Sequence, residues 1–170
     1  MHRRVLFLLI IASLATGPFC QRVYAQDRSD HPLIKGVTGA KLTLQEGLAA
    51  AAQQGRPISA KFEVEDGKLQ LSVYTAKDGK FSELIVDHTT GNIAKTETIT
   101  EGEDLAEAKL QNAAMEKAKT DLKAAVDKSA AATTGSRAIS VTPALKDGRA
   151  IASVTLLVGQ QLQTVEQPLE

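Results

Sequence analysis

The chain has 170 residues, and its 20 basic side chains are balanced by 20 acidic ones. This balance argues against the basic surface that nucleic acids and anionic lipids require. After the first 26 residues, no stretch is long and apolar enough to cross a bilayer, which takes roughly 20 apolar residues. The length suits one domain or two small ones.

The first 25 residues are typical of a secretory signal peptide. They start with His2, Arg3 and Arg4, continue with an apolar run over residues 5–15, and end at the small residue Ala25. Lipid attachment at Cys20 is the less favoured alternative, because the bulky Phe19 spoils the small-residue context of lipoprotein processing. We therefore expect cleavage near Ala25 and a periplasmic or secreted protein.

Cleavage there changes the composition of the mature chain. The only cysteine is lost, so an exported protein without a disulfide must be stabilised by packing. Loss of Arg3, Arg4 and Arg22 leaves 17 basic against 20 acidic residues. The remaining aromatic residues all lie in one short stretch of the chain, and they are Phe62, Tyr74 and Phe81.

Residues 26–40 are polar, contain Pro32, Gly36 and Gly39, and show no period, so we predict a flexible leader. A helix is predicted to follow from Leu42. Thr43 and Glu46 have the spacing of a capping box, in which each side chain accepts a hydrogen bond from the other residue's amide.

Three alternating segments between Ile58 and Ile93 predict three antiparallel strands. The first alternates over residues 58–66, the second over 69–75 and the third over 81–87. Asp66–Gly67 and Asp78–Gly79 separate them, and an Asp-Gly pair between alternating runs is a strong hairpin signal. This helix and its three strands form unit 1, residues 41–99.

The same pattern recurs 81 residues later. Asp147–Gly148 falls on Asp66–Gly67, Arg137 on Arg56, and Pro143 takes the place of Phe62. Because Pro cannot donate to a strand ladder, Pro143 predicts an edge or a bulge. We interpret residues 100–170 as unit 2, with strands between 137 and 167.

Unit 2 opens with a predicted long helix over residues 103–131, after a second capping box at Thr100 and Glu103. Its predicted buried residues are Leu105, Ala108, Met115, Ala118, Leu122, Ala125 and Val126. Two interpretations of its length remain open. The helix either reaches across both units or serves as a partner-binding or coiled-coil segment.

A conspicuous turn follows the third strand, and it contains Asp87, Thr90, Gly91 and Ile93. Together with the preceding helix and strands, this Asp-x-x-Thr-Gly-x-hydrophobic pattern resembles the PepSY domain family. The resemblance covers residues 42–99, and unit 2 shares only the overall pattern. It implies an exported, non-catalytic module of cystatin-like α+β form, here as two tandem units, each a helix with a three-stranded antiparallel sheet.

No residue pattern indicates catalysis, a metal site or a bound cofactor. His31 and His88 belong to no set of ligands with zinc or calcium spacing, and both are expected to be solvated. Asp87 and Thr90 are expected to bind their own backbone rather than a ligand. Lys61, Glu63, Glu65 and Asp66 are interpreted as a charged strand face facing water, with a docking surface for a basic partner as the alternative.

Binding to another protein is therefore the expected function. The resemblance implies a partner among secreted peptidases, which the chain would inhibit or chaperone. The alternative is a sensory or structural module of the cell envelope that binds a receptor domain or a small ligand. The sequence does not distinguish between these two.

Overall fold

The computed structural model describes residues 31–170, so the predicted signal peptide and its cleavage site lie outside the described residues. The fold is α+β, with a seven-stranded antiparallel sheet in the order β4-β3-β2-β1-β5-β6-β7. The helices are α1 (Pro32–Gly39), α2 (Leu44–Ala51), α3 (Gly102–Lys117) and α4 (Leu122–Ala132). The strands are β1 (Arg56–Glu65), β2 (Lys68–Lys77), β3 (Lys80–Val86), β4 (Ile93–Ile99), β5 (Ser136–Lys146), β6 (Arg149–Val158) and β7 (Gln161–Pro168).

The predicted hairpins are confirmed. Asp66, Asp78 and Asp147 all have positive φ, and each is followed by a strand that pairs back on its predecessor. The bounds of β2 and β6 differ by 81 residues at both ends. A bulge interrupts β1 between Pro57 and Ser59 and interrupts β5 at the matching place, between Ala138 and Ser140.

One continuous sheet is formed, rather than a separate three-stranded sheet in each half. β1 and β5 join the two halves through two residue pairs, Ala60 with Val141 and Lys61 with Ser140. β4 is a strand that the sequence did not predict, and it extends the first half beyond β3. β5 is an internal strand that pairs with β1 and β6, but its ladder with β1 includes only Ser140 and Val141. Pro143 lies beyond this short ladder, so its missing amide hydrogen interrupts no pairing with β1.

Helices cover both faces of the sheet. α2 packs so closely on β2 that a Cβ on Gly47 would lie 2.5 Å from Leu71 Cδ2. α3 lies on the opposite face, where the hydroxyl of Ser59 donates to Gln111 Oε1 at 2.7 Å. Ser59 pairs with Tyr74, whose side chain points away from the Leu71 face because strand side chains alternate. α4 contacts α2 and also packs on β5 and β6.

The predicted flexible leader is wrong for residues 32–39, which form α1. His31 caps the helix by accepting a hydrogen bond from Leu33 N through Nδ1. Pro32 occupies the first turn, where a backbone amide would have no partner within the helix, so the absence of an amide hydrogen costs nothing. Ile34 and Val37 are buried one helical turn apart in the common core. Burial of these two side chains outweighs the low helix propensity of Gly36 and Gly39.

The predicted long helix is also wrong, because the chain breaks after α3 and re-enters a helix at Leu122. Asp121 caps α4 by accepting a hydrogen bond from Ala124 N at 2.7 Å. The amides of Lys119 and Thr120 both donate to the carbonyl oxygen of Leu169, at 2.6 and 3.0 Å. The break therefore depends on a residue that lies about 50 positions further along the chain.

The two predicted capping boxes have different outcomes. Thr43 and Glu46 form theirs, with Thr43 N donating to Glu46 Oε2 at 2.7 Å and Glu46 N donating to Thr43 Oγ1 at 3.2 Å. The box at Thr100 and Glu103 is wrong, because the N-cap residue of α3 is Glu101, which makes no side-chain cap. Acidic residues in the first turn still favour this helix through its dipole.

We predict that Leu169→Ala destabilises the protein by about 2–5 kcal/mol, the range for a fully buried leucine. Leu169 is 0% exposed, and its backbone holds the break between α3 and α4. Urea unfolding monitored by circular dichroism measures the free energy of unfolding. The control is Leu162→Ala, because Leu162 is 40% exposed on β7. Equal losses in the two variants would contradict the stabilising burial of the Leu169 side chain.

Candidate functional site

The four residues of the predicted family turn are brought together between β3 and β4. Asp87 Oδ1 accepts hydrogen bonds from the amides of Thr89 at 2.8 Å and Thr90 at 3.1 Å. Gly91 has φ +81° and donates its amide to the Asp87 carbonyl at 2.8 Å. Ile93 starts β4 opposite Val86. The carboxylate is thus used inside its own turn, as the sequence predicts.

These hydrogen bonds lower the pKa of Asp87 below its ordinary value. The amide of Thr89 contributes most and that of Thr90 comes next, because both stabilise the ionised carboxylate. The pKa of Glu46 is lowered in the same way, chiefly by the backbone amide of Thr43. Both carboxylates therefore act as structural acceptors at neutral pH.

The turn also holds the connection between α1 and α2. The carbonyl oxygen of His88 accepts the amides of Lys41 at 3.1 Å and Leu42 at 2.9 Å. The Leu42 side chain lies beneath Gly91, where an added Cβ would come within 3.4 Å of Leu42 Cδ2. His88 itself is half-buried and its Nδ1 is enclosed without a hydrogen-bond partner among residues 31–170, so the expectation of a solvated histidine is wrong.

The same carbonyl arrangement occurs in the second half. The Leu169 carbonyl accepts the amides of Lys119 and Thr120, and each of these three residues lies 78 or 81 positions after its counterpart. The sequence did not reveal this, because no Asp-x-x-Thr-Gly pattern precedes Leu169. We call the two arrangements the carbonyl latches.

The charged strand face is largely occupied by contacts within the protein. Lys61 Nζ lies 2.8 Å from Glu63 Oε2, and the Ser72 hydroxyl donates to Glu63 Oε1 at 2.8 Å. Tyr74 donates its hydroxyl to Glu83 at 3.2 Å. Burial, followed by the negative charges of Glu83 and Glu63, strongly raises the pKa of Tyr74. This face does not have the open, solvated character that the sequence predicts.

β7 is an edge strand with little protection. Within residues 31–170, it pairs with β6 alone. Its single charged residue, Glu166, is bound to Lys146 at 2.7 Å, and its Leu162 is 40% exposed. β4, at the opposite edge, carries Lys95 and Glu97. Charges and prolines on an edge strand both discourage pairing with other chains, so residues 161–167 of β7, with one charge and Pro168 after them, are the less charged of the two edges.

A groove of about 500 Å³ lies between α2, the break after α3 and the start of α4. Its apolar walls include Leu48, Pro57, Met115 and Leu122, together with small alanine side chains. Its basic residues are Arg56, Lys119 and Lys123. This volume falls within the range of sites for small ligands or single side chains.

Two matching arginines differ in their surroundings. Arg56, beside the groove, donates to Met115 O at 3.2 Å and to Asn112 Oδ1 at 2.6 Å. Arg137 instead donates Nη2 to the carbonyls of Ala40 and Leu42, at 2.7 and 2.6 Å. Arg56 thus reaches from β1 to α3 in the other half, and Arg137 reaches from β5 to the connection between α1 and α2. Together they tie the two halves to each other.

Within residues 31–170, no three His, Cys, Asp or Glu side chains are grouped so that they could hold a metal ion. In the same range, no helix has both the length and the apolar character needed to cross a membrane.

Comparison of the chain with protein-family models, with curated proteins and with solved structures found no significant match. The resemblance to PepSY domains therefore depends on the turn residues and on the order of the elements.

We predict that Gly91→Val lowers the free energy of unfolding by about 1–3 kcal/mol, since a β-branched residue is strained at positive φ. The added side chain would also press on Leu42. The matched control is Gly39→Ala, because a Cβ there would meet nothing within 4 Å. Thermal and urea unfolding measure both variants. Unchanged stability of Gly91→Val would contradict the strained turn.

We also predict a pH-dependent effect of Asp87→Asn. The folded-state pKa of Asp87 is depressed, so its charge stabilises the protein above the unfolded pKa of about 3.9, and this stabilisation is lost as the pH falls through the folded value. The difference in unfolding free energy between the parent and the variant should therefore shrink between about pH 5 and pH 2. The difference between the parent and Glu46→Gln should shrink at low pH in the same way, because the pKa of Glu46 is also lowered. A constant difference across this range would contradict the prediction.

Proposed function

We propose that this chain is an exported, non-catalytic protein with two tandem PepSY-like units, and that it binds and restrains a secreted peptidase. The tripartite N-terminus supports export. The turn at Asp87, Thr90, Gly91 and Ile93 supports the family, in which propeptides of secreted metallopeptidases occur. A binding role requires no nucleophile, metal or cofactor.

Internal duplication is supported by four independent correspondences. The hairpins recur at an offset of 81 residues, and the buried positions of α2 and α4 recur at an offset of 78. The two carbonyl latches also correspond. Finally, Ala60 pairs with Val141, which is its own counterpart in the repeat. Antiparallel pairing of a residue with its counterpart is what an approximate two-fold axis through the sheet produces.

The edge of β7 is the observation that carries the binding proposal. An edge strand offers a row of unpaired amides and carbonyls, to which an extended segment of another protein can add as a further strand. β7 has eight residues and one charge, which is already neutralised by Lys146. A peptidase restrained in this way would supply the added strand from a segment near its active site. This chain would then cover the active-site cleft of the peptidase.

The second candidate function is a sensory or structural envelope module. It is favoured by the groove between α2 and α4, whose volume would admit a small ligand or a side chain of a receptor domain. In that case the edge of β7 would be dispensable for binding.

The test is inhibition of peptidases secreted by the same cell, using the purified chain from Gln26 at micromolar concentration. We expect at least one metallopeptidase to be slowed and to co-elute on gel filtration. Gln163→Lys places a charge on the β7 edge and should weaken inhibition by about tenfold or more. Thr98→Lys is the matched control, because Thr98 is exposed on the opposite edge strand, β4.

Two results would contradict the proposal. Full activity of every peptidase without a complex would favour the sensory or structural module. Inhibition that is equally sensitive to Thr98→Lys and Gln163→Lys would show that β7 is not the docking edge.

A further inference from the structure

We propose that the groove between α2 and α4 binds the C-terminal end of a peptide or protein chain. The last, apolar side chain of that partner lies between the groove walls, and its terminal carboxylate lies against the basic rim. This assignment holds whether or not the partner is a peptidase, because it depends on the groove and not on β7.

The walls select an apolar group. Leu48 and Leu122 are almost fully buried and form part of the surface beneath the opening, and Met115 and Pro57 complete it. The exposed lining area is mainly apolar. Removing an aliphatic side chain from water into such a site contributes about 1.5–3 kcal/mol. An inorganic anion would gain nothing from these walls.

The rim selects an anionic group. Three cationic side chains, Arg56, Lys119 and Lys123, line the groove with one carboxylate, Asp121. Asp121 accepts from Ala124 N, and Lys123 pairs with Asp127 at 2.7 Å. Lys119 is exposed, and no ion pair to it is formed within residues 31–170. With three cationic side chains and one carboxylate, the lining itself carries a net positive charge, which favours an incoming carboxylate.

Arg56 retains donors for this role. Its two terminal nitrogens each make one hydrogen bond within the protein, and a guanidinium has five N–H groups. The bonds to Met115 O and Asn112 fix the plane of the guanidinium beside the opening. α4 also begins here, at Leu122, and the positive end of its dipole adds to the potential.

The corresponding place in the first half is arranged differently. Arg137 is bound to the carbonyls of Ala40 and Leu42, which lie in the α1–α2 connection itself. Leu42 replaces the polar Thr120, and it packs on the core beneath Gly91. The two halves thus share the carbonyl latch but differ at the arginine, so the groove is not a requirement of the repeated fold.

A chain terminus fits both selections with one ligand. It carries a full negative charge directly beside an apolar side chain, and the basic rim and the apolar walls belong to one groove. A terminus leaves the groove in one chain direction only, whereas an internal acidic residue would have to be accommodated with chain running away from it in both directions.

The test uses Met115 as a reporter. The chain from Gln26 to Glu170 contains Met115 as its single methionine, so [methyl-¹³C]methionine labelling gives one NMR signal from the groove wall. The probes are acetyl-Ala-Ala-Leu-Leu with a free carboxylate and the same peptide as its C-terminal amide. The free acid should shift the signal in a saturable manner, and the amide should bind about tenfold more weakly, since it loses a charge-assisted hydrogen bond.

Variants separate the rim from the walls. Lys119→Gln combined with Lys123→Gln should reduce the preference for the acid over the amide, because only Arg56 then remains among the basic residues of the lining, and binding of the amide should be unchanged. Lys68→Gln, at the distant β1–β2 turn, is the control and should leave the preference unchanged. Because both groove lysines are exposed, these changes should not alter folding, which the dispersion of the one-dimensional ¹H spectrum checks.

Three outcomes would overturn the assignment. Equal affinity for acid and amide would show that the rim does not bind the carboxylate. Absence of any shift at millimolar peptide would show that the groove does not bind a chain terminus, and it would leave peptidase inhibition through β7 unaffected. A shift produced by octanoate and not by the peptides would assign the groove to a fatty acid instead of a chain terminus.

Discussion

Two backbone carbonyl oxygens, those of His88 and Leu169, hold the connections between α1 and α2 and between α3 and α4. Each accepts two consecutive amides at a connection between helices. Amides at such a connection have no partner within a helix and are costly to bury unpaired. The strand that precedes each carbonyl is thereby coupled to the start of the helix that contacts it, α2 for β3 and α4 for β7.

The latches also explain the turn at Gly91. A tight turn with a left-handed residue is needed to aim the His88 carbonyl back at Lys41 and Leu42 while the chain continues into β4. Asp87 closes this turn with its side chain. In the second half, the Leu169 carbonyl takes the equivalent place directly after β7. The Asp-x-x-Thr-Gly turn of the first half thus both positions the His88 carbonyl and leads the chain into β4.

Local patterns were sufficient for much of the fold. Alternation predicted the hairpin strands, and Asp-Gly pairs predicted their turns, since both signals act between neighbouring residues. The buried face of residues 105–126 was also predicted largely correctly, although the helix is broken. That break could not be predicted, because residues 103–131 contain neither Gly nor Pro and the decisive acceptor is Leu169.

The candidate site was predictable to a similar degree. The internal use of Asp87 follows from turn chemistry. By contrast, the groove requires α2, the break and α4 to meet, and the exposure of β7 requires the strand order. Neither is visible in a linear sequence.

The joint between β1 and β5 has a mechanical consequence. Its ladder has two residue pairs, whereas β5 and β6 share ten. Resistance to opening in a sheet comes from ladder length and from what is packed across it, so this seam is the weakest line in the sheet. It is crossed by α3, which packs on both β1 and β5, by the contact of α2 with α4, and by Arg56 and Arg137, which reach into opposite halves. A force that pulled the two ends of the sheet apart would be carried mainly by these helix and arginine contacts. Bending of the molecule would then be concentrated at the joint between β1 and β5, beside the groove.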